Sequence, residues 1–394
     1  MKKLLCMVLA LAMTVACFAG CAGKAPAAEE AIKVGMVGCY TGDYAVYGDA
    51  VKKGAELYFN QYNEKGGVNG QKIEIIAYDN KGDSAETVNA FTRLVDEGVT
   101  AVLGAVLTGN TLAVVGEAYP INMPVVTASA TADAVTYDAE TDTVYTNVYR
   151  TCFIDPFQGE KMAAYAIEKM GAKTASLLVE TGNDYAVGVA AAFTAKFTEL
   201  GGTVLSQEGY ATGAVDFKPQ LTNIAGQNPD MVFCPNYYED DGMIITQARE
   251  IGMTCPFVGS DGFGGIAGYA SAEDLEGTVY CSGYAPGSTD AVKKFEEDFK
   301  AAYGEDVPNM FAPLAYDAAM LICAALEKVE AECEAAPASD EYKQAIIDAI
   351  KVVGPEISGI TSGSGYNFDE YNNPEKEAVI MELVGGVETF KEMF

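Results

Sequence analysis

From residue 32 onward the chain alternates short apolar, β-branched runs with amphipathic stretches, and that alternation narrows it to one class of architecture. "IKVGMVGCY" (32–40) reads as a strand. A loop, "TGDYAVYG", and a helix, "GDAVKKGAELYFNQYNEKG", follow it, and "GGVNG" closes the unit with a turn signal at Asn69-Gly70. "KIEIIAYD" (72–79), "VTAVLGAVL" (99–107) and "PVVTASA" (124–130) are further strands. Between them lie one helix that opens at "SAET" and stops on Gly98, and another that runs from "TGNT" to Tyr119. "VTAVLGAVL" is apolar without a break, as befits a parallel strand buried on both faces. The pattern then restarts with the helix "DPFQGEKMAAYAIEKMGA" and the strand "TASLLVE" (174–180), and continues through "MVFCPNY" (231–237), the helix "EDDGMIITQAREIG" and "CPFVGSDG" (255–262). Repeated β-α-β units predict parallel sheets with helices on both faces. Two such series, meeting near residues 148–156, predict an α/β chain of two doubly wound lobes. The tail from about residue 290 reads as three helices, then a strand region "ISGITSGSGYNFDE" and a final "AVIMELVGGVETF", and such a tail can return to the first lobe and then the second.

The first residues belong to a different kind of segment. "MKK" is a basic n-region, "LLCMVLALAMTVACFA" an apolar h-region, and "FAGC" resembles a bacterial lipobox. Cys21 is then the lipidated first residue of the mature chain, behind a signal peptide of residues 1–20 and ahead of a small-residue linker, 21–31. An uncleaved membrane anchor is the competing reading. Either way the folded part sits outside the cytoplasm, tethered to the membrane. Lys and Arg number 25 against 56 Asp and Glu, a formal net charge of -31, which repels nucleic acid and anionic lipid. A zwitterionic or neutral solute is indifferent to that field. Seven of the ten cysteines remain after Cys6, Cys17 and Cys21 are set aside. Their odd number and lack of CxxC spacing suit buried apolar residues, with one disulfide still open.

Histidine is absent, which removes Ser-His-Asp and Cys-His catalysis and His metal ligation together. Neither a G-x-G-x-x-G nor a P-loop spacing occurs, and no metal-ligand cluster is visible, so no cofactor or metal is expected. In open parallel sheets, ligands bind beyond the carboxyl ends of the strands. Two of those ends, "LTGNT" and "TASAT", are small and rich in hydroxyls, each placed where a strand is expected to give way to a helix. Unpaired helix N–H groups and hydroxyls there make Thr108, Ser129 and Thr131 candidates for cradling a carboxylate, with plain N-capping the competing reading. In the other lobe, "GSDG" puts Asp261 at a strand end, where its carboxylate suits an ammonium group or serves only an Asp-Gly turn. Tyr185 and Tyr237 lie just past strand ends, able to cover a ligand with their rings or merely to pack.

Taken together, residues 32 to the end resemble the leucine/isoleucine/valine-binding proteins, type I solute-binding lipoproteins of ATP-driven importers. The opening strand, "G…GD…YG", the helix and "NEKGGVNG" look like that family's start, and "DPFQG", "DYAVG", "QAREIG" and "LAYDAAML" follow in the family's order. The resemblance implies two lobes, 32–150 with 284–378 and 151–283 with 379–394, joined by a three-strand hinge that closes on an amino acid. It implies that Thr108, Ser129 and Thr131 surround the ligand carboxylate, that Asp261 takes the amine, and that Tyr185 and Tyr237 contact the ligand. It also places Tyr47, Phe311 and Val106 near the ligand side chain. Gly82 and Leu107 stand where some relatives carry a first-lobe cysteine pair. The implied partners are an amino acid, aliphatic by default, and a membrane permease. A sensory module of the same fold, a binder of an amide or urea, and an enzyme using carboxylate or Tyr chemistry are the alternatives.

Overall fold

The computed structural model describes residues 31–394, so the expected signal peptide, Cys21 and the expected linker up to residue 30 lie outside the described residues. The first half builds β1 (Ile32–Gly38), β2 (Ile73–Asp79), β3 (Ala101–Gly104), β4 (Val125–Thr127), a small hairpin of β5 (Tyr137–Asp138) and β6 (Thr143–Val144), and β7 (Val148–Arg150). Five of these strands form one parallel sheet in the order β2-β1-β3-β4-β7. Helices Ala45–Glu64, Ser84–Asp96 and Thr108–Ala118 connect them. The second half builds β8 (Thr174–Glu180), β9 (Thr203–Tyr210), β10 (Met231–Phe233), β11 (Phe257–Gly259) and β12 (Val279–Ser282), and the C-terminus returns as β13 (Val379–Val384) and β14 (Val387–Met393). These seven make a second sheet, β14-β13-β12-β11-β10-β8-β9. Central strands of both sheets bury both faces: Val102 and Leu103 in one, Val232 and Phe233 in the other, are fully shielded. That is the packing their unbroken apolar runs require.

The chain passes between the sheets three times: after β7, after β12, and between helix Asp340–Val353 and β13. Strand ends from both sheets thus face one another across a cleft, with helix Phe311–Glu332 packed on helix Ala45–Glu64 beside it.

Three expectations change. The second sheet is mixed, because β13 pairs antiparallel with both β12 and β14. Its cause is local: Val384 pairs with Val387 across Gly385 and Gly386, at φ 58° and 80°, and a two-residue turn with both φ positive joins only antiparallel strands. No helix follows "TASAT"; β4 ends at Thr127, and only a single 3-10 turn, Asp133–Val135, comes after it. The stretch "ISGITSGSGYNFDE" forms no strand, because Ile360 and Thr361 give their N–H groups to the Asp317 carboxylate rather than to a ladder. All seven described cysteines are free, five of them buried.

Gly54 is where the two packed helices come closest. A Cβ there would lie 2.0 Å from the Ala312 carbonyl oxygen, so backbone would have to yield. Gly54→Ala is expected to destabilise the fold by about 1–3 kcal/mol, read as a lower urea midpoint at unchanged slope.

Candidate functional site

A narrow cavity lies between the halves, lined by Tyr47, Val106, Leu107, Thr108, Ser129, Tyr185, Tyr237, Asp261, Gly262 and Phe311. With about 10 Å³ of free space, no more than one water needs, the two walls stand close together. Eight of the nine residues singled out for ligand contact meet in it.

The first-sheet wall is rich in donors. Leu107 is the N-cap of helix Thr108–Ala118 and offers no side-chain acceptor, so the N–H groups of the first turn have no cap. Thr108 is therefore not a capping residue but sits inside the first turn, buried, at the dipole's positive end. Val106 leads into this turn at φ 81°, an outlying conformation for a β-branched residue, of the kind found where a loop is fixed for binding. Ser129 anchors the neighbouring loop by donating to the Val106 carbonyl at 2.7 Å.

Thr131 is the exception. It does not line the cavity; its carbonyl accepts the Asp155 N–H at 2.9 Å, and its hydroxyl lies beside the Asp155 carboxylate without a hydrogen bond in proper geometry. Its place is at the first crossing between the sheets. The loop after β4 holds its shape through Arg150, which the sequence reading overlooked. This arginine, wholly buried at the end of β7, donates to the Ala130 and Ala132 carbonyls at 2.9 and 3.0 Å and to the Thr136 hydroxyl at 2.9 Å. Thr127 supplies an acceptor 3.2 Å from the Ala130 N–H. These contacts take the place of the helix. The only sequence signal for them was a lone arginine at the end of an apolar strand.

The opposite wall centres on Asp261, which opens a short 3-10 turn after β11. Its N–H donates to Gln158 Oε1 at 3.1 Å, and the next N–H, of Gly262, donates to the Tyr185 hydroxyl at 2.9 Å. Tyr185 also shares a 2.5 Å hydrogen bond with Ser260, so its hydroxyl braces the Asp261 turn. Gly262 was likewise overlooked; a Cβ there would lie 2.1 Å from the Asn236 carbonyl oxygen. The rings of Tyr185 and Tyr237 stack at 5.2 Å and 6°. Tyr47 reaches across from the first half: its hydroxyl donates to the Gly262 carbonyl and accepts the Tyr238 N–H at 3.3 Å. Its ring meets those of Tyr237 and Phe311 edge-on at 5.7 and 5.0 Å.

Burial pushes the Asp261 carboxyl up to about 7, with the neighbouring Tyr185 and Gln158 side chains pulling the other way. Among the described residues no lysine or arginine forms an ion pair with it. Nearby Asp155 is also raised, first by burial and then by Asp261.

Two α/β halves, crossed three times by the chain and closed over a cavity with donors on one side and a carboxylate on the other, define a cleft-type solute-binding protein. The chain belongs to the periplasmic binding protein family, whose profile matches residues 31–386. A Leu/Ile/Val-binding protein from Rhizobium johnstonii is 28% identical over 344 residues, covering 86% of this chain and 92% of its own. The structure of a leucine-binding protein from Thermotoga maritima is similar at 30% identity and a TM-score of 0.82, covering 92% of this chain and 98% of that one. A branched-chain amino acid transporter substrate-binding protein from Streptococcus pneumoniae, solved with isoleucine, is similar at 31% identity and a TM-score of 0.82, covering 93% and 99%.

A carboxyl raised by burial holds its proton in the folded state between the ordinary aspartate range and about pH 7, while the unfolded chain has lost it. Ligand-free stability therefore falls as pH rises through that window, by about 4 kcal/mol for Asp261 alone. Asp261→Asn removes that loss. The variant's urea midpoint is expected to exceed that of the parent increasingly from pH 4 to pH 8; a constant difference contradicts the assignment.

Proposed function

We propose that this chain is the extracytoplasmic solute-binding component of an ATP-driven importer, and that it captures an α-amino acid with an aliphatic side chain. One observation carries the reading: a fully buried carboxylate without a cationic partner among the described residues, Asp261, faces an uncapped helix start across the cavity. An α-amino acid supplies the two missing charges. Its ammonium pairs with Asp261, and its carboxylate meets the first-turn N–H groups and hydroxyl of Thr108, with the Ser129 loop alongside. Tyr47, Val106 and Phe311 surround its side chain, and Tyr185 and Tyr237 form the floor. Thr131 holds the crossing rather than the carboxylate. Binding bridges the two halves and favours the closed form by the difference in contacts. A membrane permease is the implied recipient. The relatives are named as binding proteins, two of them for leucine or for leucine, isoleucine and valine, which supports transport over sensing and over catalysis.

The ammonium role has a direct test. Asp261→Ala should weaken leucine binding by roughly 10- to 150-fold, the equivalent of about 1.5–3 kcal/mol for a charged hydrogen bond. Binding of 4-methylpentanoate, which lacks the amine, should change little. Calorimetric titration of both ligands reads the contrast, and equal losses would refute the role.

We further propose that Cys21 carries the lipid that keeps the protein at the membrane. Among the described residues, no helix is long and apolar enough to cross a membrane. Cys21→Ala, expressed in a bacterium, should no longer take up radiolabelled palmitate. A labelled variant would exclude this cysteine as the lipidated residue.

A further inference from the structure

All three crossings between the sheets are tied to the start of a single helix, Phe311–Glu332. In the first crossing, Thr151 donates its hydroxyl to the Leu314 carbonyl at 2.9 Å. In the second, the Ser282 hydroxyl and the Gly283 N–H approach the sulfur of Met310, the helix N-cap, at 3.6 and 3.1 Å. The third crossing has the strongest tie. Asp317, fully buried in the second turn, accepts the Ile360 N–H at 2.7 Å on one oxygen. Its other oxygen accepts the Thr361 N–H at 2.8 Å, the Thr361 hydroxyl at 2.7 Å and the Tyr366 hydroxyl at 2.7 Å.

Lys376 adds an outer layer. Its ammonium donates to the Thr361 carbonyl and hydroxyl at 3.1 and 2.8 Å and stands 4.6 Å from the centre of the Tyr366 ring. Gly359 makes room for this arrangement, since a Cβ there would lie 2.7 Å from an Asp317 oxygen. The same helix begins with Phe311, which lines the cavity and touches the ring of Tyr47. Asp317 itself does not line the cavity.

We propose that Asp317 is a positioning residue for ligand binding. By holding the third crossing to the helix that also anchors the other two, it sets the balance between open and closed halves, without touching the ligand. This rests on the solute-binding reading above. Hydrogen bonds to a charged group are directional and short, so four of them on one buried carboxylate leave the 359–366 segment little freedom. Loosening them lets the halves open. Apparent affinity is the intrinsic affinity reduced by the fraction of protein that is competent to bind. A residue acting in this way scales the affinity for every ligand by one common factor, whereas a contact residue changes the ranking among ligands.

The test compares the parent protein with Asp317→Asn and Tyr366→Phe. Calorimetry would give dissociation constants for leucine, isoleucine and valine, and small-angle X-ray scattering would give the dimensions of the ligand-free proteins. Asp317→Asn is expected to weaken all three ligands by a shared factor of roughly ten or more and to enlarge the ligand-free envelope. Tyr366→Phe removes one donor of four and should do the same to a smaller degree, about threefold. If circular dichroism shows Asp317→Asn unfolded, Tyr366→Phe carries the test alone. Unchanged affinity, losses that differ by more than about threefold between ligands, or an unchanged envelope would overturn the proposal. If the parent binds none of the three amino acids, it is the solute reading that has failed, and the ligand-free envelopes still decide the role of Asp317.

Discussion

The protein holds a carboxylate in its interior and, among the described residues, supplies no cation for it. Asp261 is shielded from water, its turn is braced by Gln158, Tyr185 and Ser260, and its carboxyl is pushed up towards neutrality by burial. A buried charge without a partner is among the more costly features a fold can carry. The surrounding groups orient it but do not neutralise it. Much of the cleft follows from this choice. The opposing wall presents N–H groups and hydroxyls with no carboxylate of its own, so the cavity has complementary polarity at its two ends. A solute with both charges relieves both walls at once, and relief that exists only when the halves are shut is what drives closure.

The second buried charge shows the opposite treatment. Arg150 meets two carbonyls and a hydroxyl from the loop beyond β4. It therefore stabilises an irregular backbone that no repeating ladder could hold. One charge is satisfied by the chain and shapes the site; the other is left open for the ammonium group proposed above. Asp155 stands between them, at the start of the helix after the first crossing, and links the Thr131 end of the Arg150 loop to Gln158 and so to Asp261.

Most of the architecture could be read from hydrophobic periodicity, because buried parallel strands must be apolar throughout and their connecting helices amphipathic. What escaped that reading was decided by single side chains. "TASAT" has the composition of a helix start, yet its Ala130 carbonyl is claimed by an arginine from a neighbouring strand, about twenty residues later in the chain. "ISGITSGSGY" has the composition of a strand, yet its N–H groups are claimed by Asp317, more than forty residues earlier. Contacts of that kind leave no periodic trace. The turn "VGGV" did leave one, since adjacent glycines between apolar runs signal a hairpin, and the antiparallel edge was open to prediction from it. At the site, Asp261, Thr108 and Ser129 were marked by lying at strand ends. Tyr47, Val106 and Phe311 carried no such mark, and only the resemblance to a family brought them in.

The selectivity of the cleft follows from where its hydroxyls are already committed. Tyr47 is the polar residue nearest the aromatic end of the cavity, but its proton goes to the Gly262 carbonyl and its oxygen accepts the Tyr238 N–H. Tyr185 is likewise committed to Ser260 and Gly262. With Val106, Leu107 and Phe311 completing that end, a polar ligand side chain would lose its water and find no partner there. An aliphatic chain loses nothing comparable and gains contact with four apolar surfaces. The bonds that Tyr47 makes across the cleft therefore do two things at once. They hold the halves together, and by occupying its hydroxyl they turn a tyrosine into an apolar wall, so on the proposed reading closure and preference for an aliphatic side chain come from the same residue.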